Sequence, residues 1–104
     1  MIIYNTTFHI ENSVLEECIE FLKQDYIPNA TNSGFLSQPR LSRIIPHEKD
    51  DLGESFSLQF HVKNTDTLNY WLEKDGAAIQ KRLIKKFNQR VVGFTTIMEE
   101  ISLE

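Results

Sequence analysis

Residues 54–63 predict a strand, in which apolar and polar side chains alternate without interruption from Phe56 to Lys63. The apolar positions are Phe56, Leu58, Phe60 and Val62, and the polar positions between them are Ser57, Gln59, His61 and Lys63. Successive side chains of a β-strand point to opposite faces, so this pattern predicts a strand with one face in a hydrophobic core. A sheet built from such strands needs helices on its apolar side, whereas its polar side must meet water, a ligand or a second subunit.

Three further strands are predicted. Residues 2–10 and 91–101 are rich in β-branched and aromatic side chains, which favour strands. Residues 35–46 predict an edge or bulged strand, because Pro39 has no amide hydrogen to donate to a central ladder. In the last strand, alternation assigns residues to two faces: Val92, Phe94, Thr96 and Met98 on one, and Val91, Thr95 and Ile97 on the other.

Two helices separate these strands. The first follows a capping-box pattern that opens at Ser13, and its apolar residues recur every three or four positions. We expect Pro28 to stop or kink this helix, because a proline ring does not fit a regular helix interior. The second helix is expected to begin with a cap at Thr65 or Asp66, and Gly76 is expected to mark a kink or break within it.

The element order is therefore β-α-β-β-α-β, the split pattern of α+β, ferredoxin-like domains. We expect a single domain over residues 1–104, with a four-stranded antiparallel sheet, two helices on one face, and the first and third strands as parallel central neighbours. The face without helices would carry Ile3, Asn5, Thr7, His9, Gln59, His61, Val91, Thr95 and Ile97. This mixture is too apolar for exposure and too polar for a dry core, so the sequence predicts a homodimer that packs sheet against sheet.

The composition narrows the class of function. The chain has 104 residues, of which 40% are hydrophobic and 25% charged, and its formal net charge is −4. Nucleic acids and anionic membranes are bound through clustered Lys and Arg, so we expect neither as a partner. The sequence opens without a basic leader or a long apolar run, which predicts a soluble cytoplasmic protein. Cys18 is the only cysteine, and its place among apolar helix positions predicts a buried structural thiol.

The chain resembles a family of small bacterial proteins of about this length, grouped as a domain of unknown function with a ferredoxin-like, dimeric α/β-barrel fold. The resemblance runs along the whole chain. It rests on Ile2, Ile3, Tyr4, Asn5, Ile27, Pro28, Gly34, Phe35, Arg40, Arg43, Gln59, Phe60, Leu68, Tyr70, Phe87, Phe94, Thr95 and Thr96. It implies the fold and the dimer, and it carries no reaction or catalytic residue.

Only a few side chains on the polar face are suited to chemistry. His9 and His61 could act as a base and a substrate anchor beside Gln59, in a cavity at the sheet. The alternative is that both histidines are hydrogen-bonding groups at an interface or in solvent. Nothing that flanks them is typical of a haem ligand, and no third ligand stands at metal-site spacing, so we predict no metal, no cofactor and no catalytic residue.

Two arginines in the second strand are the candidate anion ligands. Arg40 or Arg43 could hold a negatively charged group at the same site. Three positions apart on a strand, they face opposite sides unless Pro39 introduces a bulge. The alternative is that they are edge-strand charges that prevent edge-to-edge aggregation.

The sequence therefore favours a homodimeric, non-catalytic binding or assembly module whose small-molecule ligand, if it has one, is not identified. The alternative is a cofactor-independent, monooxygenase-like dimeric α/β-barrel enzyme with a pocket at the sheet face. An enclosed interface cavity of roughly 300 Å³ or more, lined by convergent polar groups, would favour the enzyme.

Overall fold

Four strands form one antiparallel sheet in the computed structural model, which describes residues 1–49 and 51–104. The strands are β1 (Ile2–Glu11), β2 (Leu36–Arg43), β3 (Gly53–Val62) and β4 (Val91–Glu99). They lie in the order β2-β3-β1-β4, and each neighbouring pair is antiparallel. The predicted α+β, ferredoxin-like architecture is confirmed.

The predicted direction of the two central strands is wrong, because β1 and β3 run antiparallel. β3 follows β2 directly along the chain and returns beside it, as consecutive strands joined by a loop do. β1 and β2, which are connected through the first helix, run parallel with β3 between them, and β3 and β4 likewise run parallel with β1 between them.

The first helix begins without the predicted serine cap. Its segments are a 3₁₀ turn (Asn12–Val14), an α-helix (Leu15–Phe21), a π-helical turn (Leu22–Tyr26) and an α-helix (Ile27–Thr31). No side-chain hydrogen bond caps the 3₁₀ turn or the first α-helical segment, so the capping box predicted at Ser13 is wrong. The chain enters the helix through the tighter 3₁₀ turn instead.

Pro28 lies inside this helix and does not end it. The amide of Ile27 donates to the carbonyl of Leu22 and closes the wide π turn immediately before the proline. In a regular α-helix the proline ring would clash with the carbonyl one turn earlier, and the π turn relieves that clash. The helix therefore continues past Pro28 to Thr31.

The second helix contains the same irregularity. It runs as an α-helix (Thr65–Trp71), a π-helical turn (Leu72–Gly76) and an α-helix (Ala77–Phe87), and a 3₁₀ turn (Asn88–Arg90) follows. Its cap is Asn64, whose Oδ1 accepts from the Thr67 amide at 2.8 Å. The caps predicted at Thr65 or Asp66 are therefore wrong, because Asn64 is the last residue with extended backbone.

Gly76 marks the π turn and not a break. A β-carbon added there would lie 2.8 Å from Cζ3 of Trp71, so only glycine lets this indole pack against the helix backbone. The Trp71 Nε1 in turn donates to the Ala30 carbonyl at 3.1 Å, which joins the two helices within the core.

Both helices cover the same side of the sheet. The buried apolar side chains from the sheet are Ile2, Tyr4, Phe8, Ile10, Leu36, Phe56, Leu58, Phe60, Val62 and Val91, and those from the helices include Cys18, Leu22, Tyr26, Leu68, Trp71, Ile79, Leu83 and Phe87. Among the described residues, no helix combines the length and the apolar character that a membrane span requires.

The predicted faces of β4 are inverted. Val91 pairs with Ile10 and is buried in the core, whereas Val92 and Phe94 pair with His9 and Thr7 on the side without helices. The prediction that Val91, Thr95 and Ile97 share the helix-free face is therefore wrong. The sequence misled because the more apolar alternation of this strand points away from the core.

Candidate functional site

The side of the sheet opposite the helices, here called the open face, is crossed by rows of paired residues. Read from β2 to β4, three rows are Ser37, His61, Ile3 and Met98; Arg40, Gln59, Asn5 and Thr96; and Ser42, Ser57, Thr7 and Phe94. A fourth contains Ser55, His9 and Val92. The open face is therefore polar along β2 and β3 and becomes apolar towards β4.

A hydrogen-bonded polar cluster occupies the centre of the open face. Asn5 is only 7% exposed although no helix covers it. Its Nδ2 donates to Thr7 Oγ1 at 3.2 Å, and its Oδ1 accepts from Ser57 Oγ at 2.5 Å. These partners stand on adjacent strands or two positions along the same strand, where side chains meet naturally. Because they satisfy one another, these groups can be covered by a second surface without losing their hydrogen bonds.

An apolar stripe borders this polar cluster. It consists of Val92, Phe94 and Met98 on β4, here called the β4 stripe, and the half-buried Ile3 lies beside Met98 on β1. Phe94 is 64% exposed and Val92 is 52% exposed. Thr96 separates Phe94 from the half-buried Met98, so the exposed apolar area is centred on Val92 and Phe94. Exposed apolar side chains with a polar border are typical of an interaction surface. The alternation of β4 is visible in the sequence, but it predicts the stripe on the core side of the sheet.

The two candidate histidines lie at opposite ends of the open face. His61 pairs with Ile3, and His9 lies six positions further along β1. At the rise of a β-strand this separation is about 20 Å. Within one subunit, His9 and His61 therefore cannot act on the same atom of a substrate.

The remaining candidates divide between the two faces of the sheet. Arg40 pairs with Gln59 on the open face, one row from His61. Arg43 pairs with Phe56 on the helix side, where its Nε lies 3.5 Å from Glu54 Oε1 and its guanidinium stands 6.0 Å from the centre of the Phe56 ring.

The bulge at Pro39 does not bring the two arginines together. The register shift falls between Ser37 and Arg40, where Gln38 has a positive φ of 50°. It precedes both arginines, so their relative orientation is that of an ordinary strand. The structure therefore brings together His61, Gln59 and Arg40 and separates them from His9 and Arg43.

Cys18 is fully buried. Burial, reinforced by the negative charge of Glu17, raises the pKa of Cys18 to about 12. A protonated, enclosed thiol is a packing group and not a nucleophile. Across residues 1–49 and 51–104, no three His, Cys, Asp or Glu side chains cluster in a manner suited to a metal ion.

The fold and its uncovered face define a ferredoxin-like α+β protein. The chain belongs to the family described as a domain of unknown function, DUF4286, whose model matches residues 1–101. The resemblance to a family of unknown function is thereby confirmed. None of the curated proteins matches the sequence.

Several solved structures share this fold at low sequence identity. A protein of the ethd family from Bacillus halodurans superposes with a TM-score of 0.73 at 15% identity, over 97% of this chain and 100% of that chain. An antibiotic biosynthesis monooxygenase gives a TM-score of 0.68 at 12% identity, over 98% and 100%. A dimeric ferredoxin-like protein from an uncultured marine organism gives 0.60 at 15% identity, over 100% of both chains. Likeness at these identities shows the fold alone.

Proposed function

We propose that the protein acts as a homodimer whose subunits pack open face to open face, and that it is a non-catalytic binding or assembly module. The observation that carries this proposal is the β4 stripe, which leaves Phe94 64% exposed beside a polar cluster that is already hydrogen-bonded. Burying the stripe would remove apolar area from water, and the cluster would lose no partner. The neighbour described as a dimeric ferredoxin-like protein supports a dimer.

The layout of the open face favours one two-fold arrangement. When two open faces stack on each other, the two-fold axis lies between the sheets. An axis parallel to the strands would place β4 over β2 of the partner, whereas an axis perpendicular to the strands places β4 over β4, so that the two β4 stripes meet. With the axis across the strands, the row of His61 lies over the row that contains His9 of the partner subunit. The two histidines that one subunit separates would then approach each other across the interface.

A negative charge placed in the middle of the open face tests the dimer. We expect Thr7→Glu and Gln59→Glu to give the monomer mass of 12.2 kDa in multi-angle light scattering, while the unaltered chain gives twice that mass. Burying a charge that has no partner is costly, and a two-fold axis places each charge near its symmetry copy. Thr7→Glu is the stricter of the two variants, because residue 59 pairs with Arg40, whose positive charge can partner a glutamate there. Gln89→Glu makes the same chemical change at an exposed position before β4 and is the matched control. Dimer mass in both open-face variants would place the interface elsewhere.

The alternative function is a cofactor-independent, monooxygenase-like enzyme. It is favoured by the grouping of His61, Gln59 and Arg40 on neighbouring rows, and by fold neighbours that are described as antibiotic biosynthesis monooxygenases. Such an enzyme needs an enclosed site of roughly 300 Å³ or more between the subunits. A crystal structure of the dimer decides between the two functions. A cavity of that size lined by these three side chains supports the enzyme, and an interface filled by side chains supports the module.

A further inference from the structure

A small cavity lies on the helix side of the sheet, between the second helix and strands β1 and β4. Its volume is about 140 Å³, and its walls include Phe8, Tyr26, Gln80, Leu83, Val91 and Gly93. The cavity is separated from the open face by the sheet itself. It therefore does not depend on the proposed dimer.

Gly93 keeps one wall of this cavity open. It lies in the interior of β4, and a β-carbon there would stand 3.0 Å from Cδ1 of Phe8 and 3.3 Å from Cγ2 of Thr6. A glycine inside a strand often marks a place where another group approaches the backbone closely. The absence of a side chain at this position is what leaves the space between the sheet and Leu83.

Four polar side chains line the cavity, those of Thr6, Tyr26, Gln80 and Thr95, and the most deeply buried of them is Tyr26. This residue is 1% exposed, and no group of the described residues forms a hydrogen bond with its hydroxyl. Among the described residues, every side-chain oxygen or nitrogen that solvent cannot reach has a hydrogen-bond partner. The Tyr26 hydroxyl has none, so we infer that it is accessible from the cavity that Tyr26 lines. Burial, followed by the nearby Tyr4 hydroxyl, raises the pKa of Tyr26, so the group stays protonated and can donate a hydrogen bond.

The size and charge of the cavity define its ligand. The lining contains no charged side chain, so it offers nothing to neutralise an ion. Its volume is close to that of apolar protein cavities of about 150 Å³ that bind benzene. We propose that this cavity is a binding site for a neutral, benzene-sized aromatic molecule that carries one polar group, which hydrogen-bonds to the Tyr26 hydroxyl.

Phenol and benzene are matched probes, since they differ only by the hydroxyl. In titrations of the ¹⁵N-labelled full chain, we expect both to shift the amide signals of Gly93 and Ile84, which line the cavity. Tyr26→Phe retains the ring and removes the hydroxyl. We expect it to weaken phenol about fivefold, as the loss of one hydrogen bond does, and to leave benzene within about twofold.

A second variant tests the position of the ligand. Ile84 is exposed at the rim of the cavity, so Ile84→Trp should weaken both probes without disturbing the core, and circular dichroism shows whether the fold is retained. The Thr7→Glu monomer should bind phenol like the unaltered chain, because the cavity lies on the other side of the sheet. Amide shifts confined to other regions, or equal phenol affinity in the Tyr26→Phe variant, would overturn the proposal.

Discussion

Phe60 and Phe94 allow the two faces of the sheet to be compared with the same substitution. Phe60 is 2% exposed on the helix side of β3 and stacks on Tyr4 with ring centres 6.4 Å apart. Phe94 is 64% exposed on the open face. Replacing each phenylalanine by alanine removes the same atoms from opposite faces. The two losses in the free energy of unfolding can therefore be compared directly, and their difference reports on how deeply each ring is buried.

The expected magnitudes differ severalfold. Truncating a fully buried phenylalanine costs about 3 to 5 kcal/mol of the free energy of unfolding, because a cavity remains. Full burial of such a side chain stabilises by about 1.5 to 3 kcal/mol, and roughly a third of Phe94 is covered within the subunit, so Phe94→Ala should cost about 0.5 to 1 kcal/mol there. A domain of this size has a stability of about 5 to 15 kcal/mol, so Phe60→Ala is expected to be severely destabilised.

Urea denaturation at several protein concentrations separates subunit stability from dimer stability. Dimerisation stabilises the folded state in proportion to the logarithm of concentration, so its contribution disappears on dilution. The loss caused by Phe60→Ala should be the same at every concentration. The loss caused by Phe94→Ala should be larger at high concentration and shrink towards its monomer value on dilution. An unchanged midpoint for Phe60→Ala, or a concentration-independent loss for Phe94→Ala, would refute the assignment of the faces or the dimer.

Two further predictions concern the core. The pKa of Cys18, raised to about 12 by burial and then by Glu17, implies that the folded state holds this proton more tightly than the unfolded chain. The free energy of unfolding should therefore fall as the pH rises from about 9 towards 12, and it should fall more steeply than in the Cys18→Ala variant. A thiol reagent at pH 8 should react with Cys18 only after the protein unfolds, and rapid labelling of the native protein would contradict this. Gly76→Ala should destabilise the protein by about 1 to 3 kcal/mol in thermal or urea unfolding, because the added β-carbon meets Trp71; a gain of about 1 kcal/mol, as in an ordinary helix, would show that the indole can move.

The strands could be predicted from the sequence because most of them face water on one side and a core on the other. In β3 this alternation is complete, and Phe56 to Val62 all lie where the pattern predicts. β4 could not be predicted in the same way, since Val91 and Val92 are adjacent apolar residues and Gly93 contributes no side chain. The sequence shows which side of a strand is apolar, but it does not show whether that side meets a core or another subunit.

The helices show a second limit of the sequence pattern. Pro28 and Gly76 each suggested an interruption, and each helix continues past its residue by means of a π turn. Local propensity favours a break at proline and glycine, whereas burial of Tyr26 and Trp71 in the core stabilises an uninterrupted helix. Asn64 was likewise missed as a cap, because Asn, Thr and Asp stand side by side and all three can cap a helix.

The separation of the candidate residues follows from register, which no single strand reveals. His9 and His61 both fall on the polar side of their strands, as predicted, yet the antiparallel pairing of β1 with β3 sets them at opposite ends of the sheet. A candidate site that spans two strands therefore depends on strand direction as much as on the identity of its residues.

The two inferred sites meet at β4, which explains its unusual sequence. In an edge strand of an ordinary sheet, the larger apolar side chains face the helices, but here Gly93 faces the helices and Phe94 faces away from them. Of this strand only Val91 is buried within the subunit. The strand thus gains little from the core, and a partner on the open face would supply the burial that Val92, Phe94 and Met98 lack. The same inversion leaves the space beside Tyr26 unfilled, so one strand accounts for both the exposed stripe and the cavity behind it.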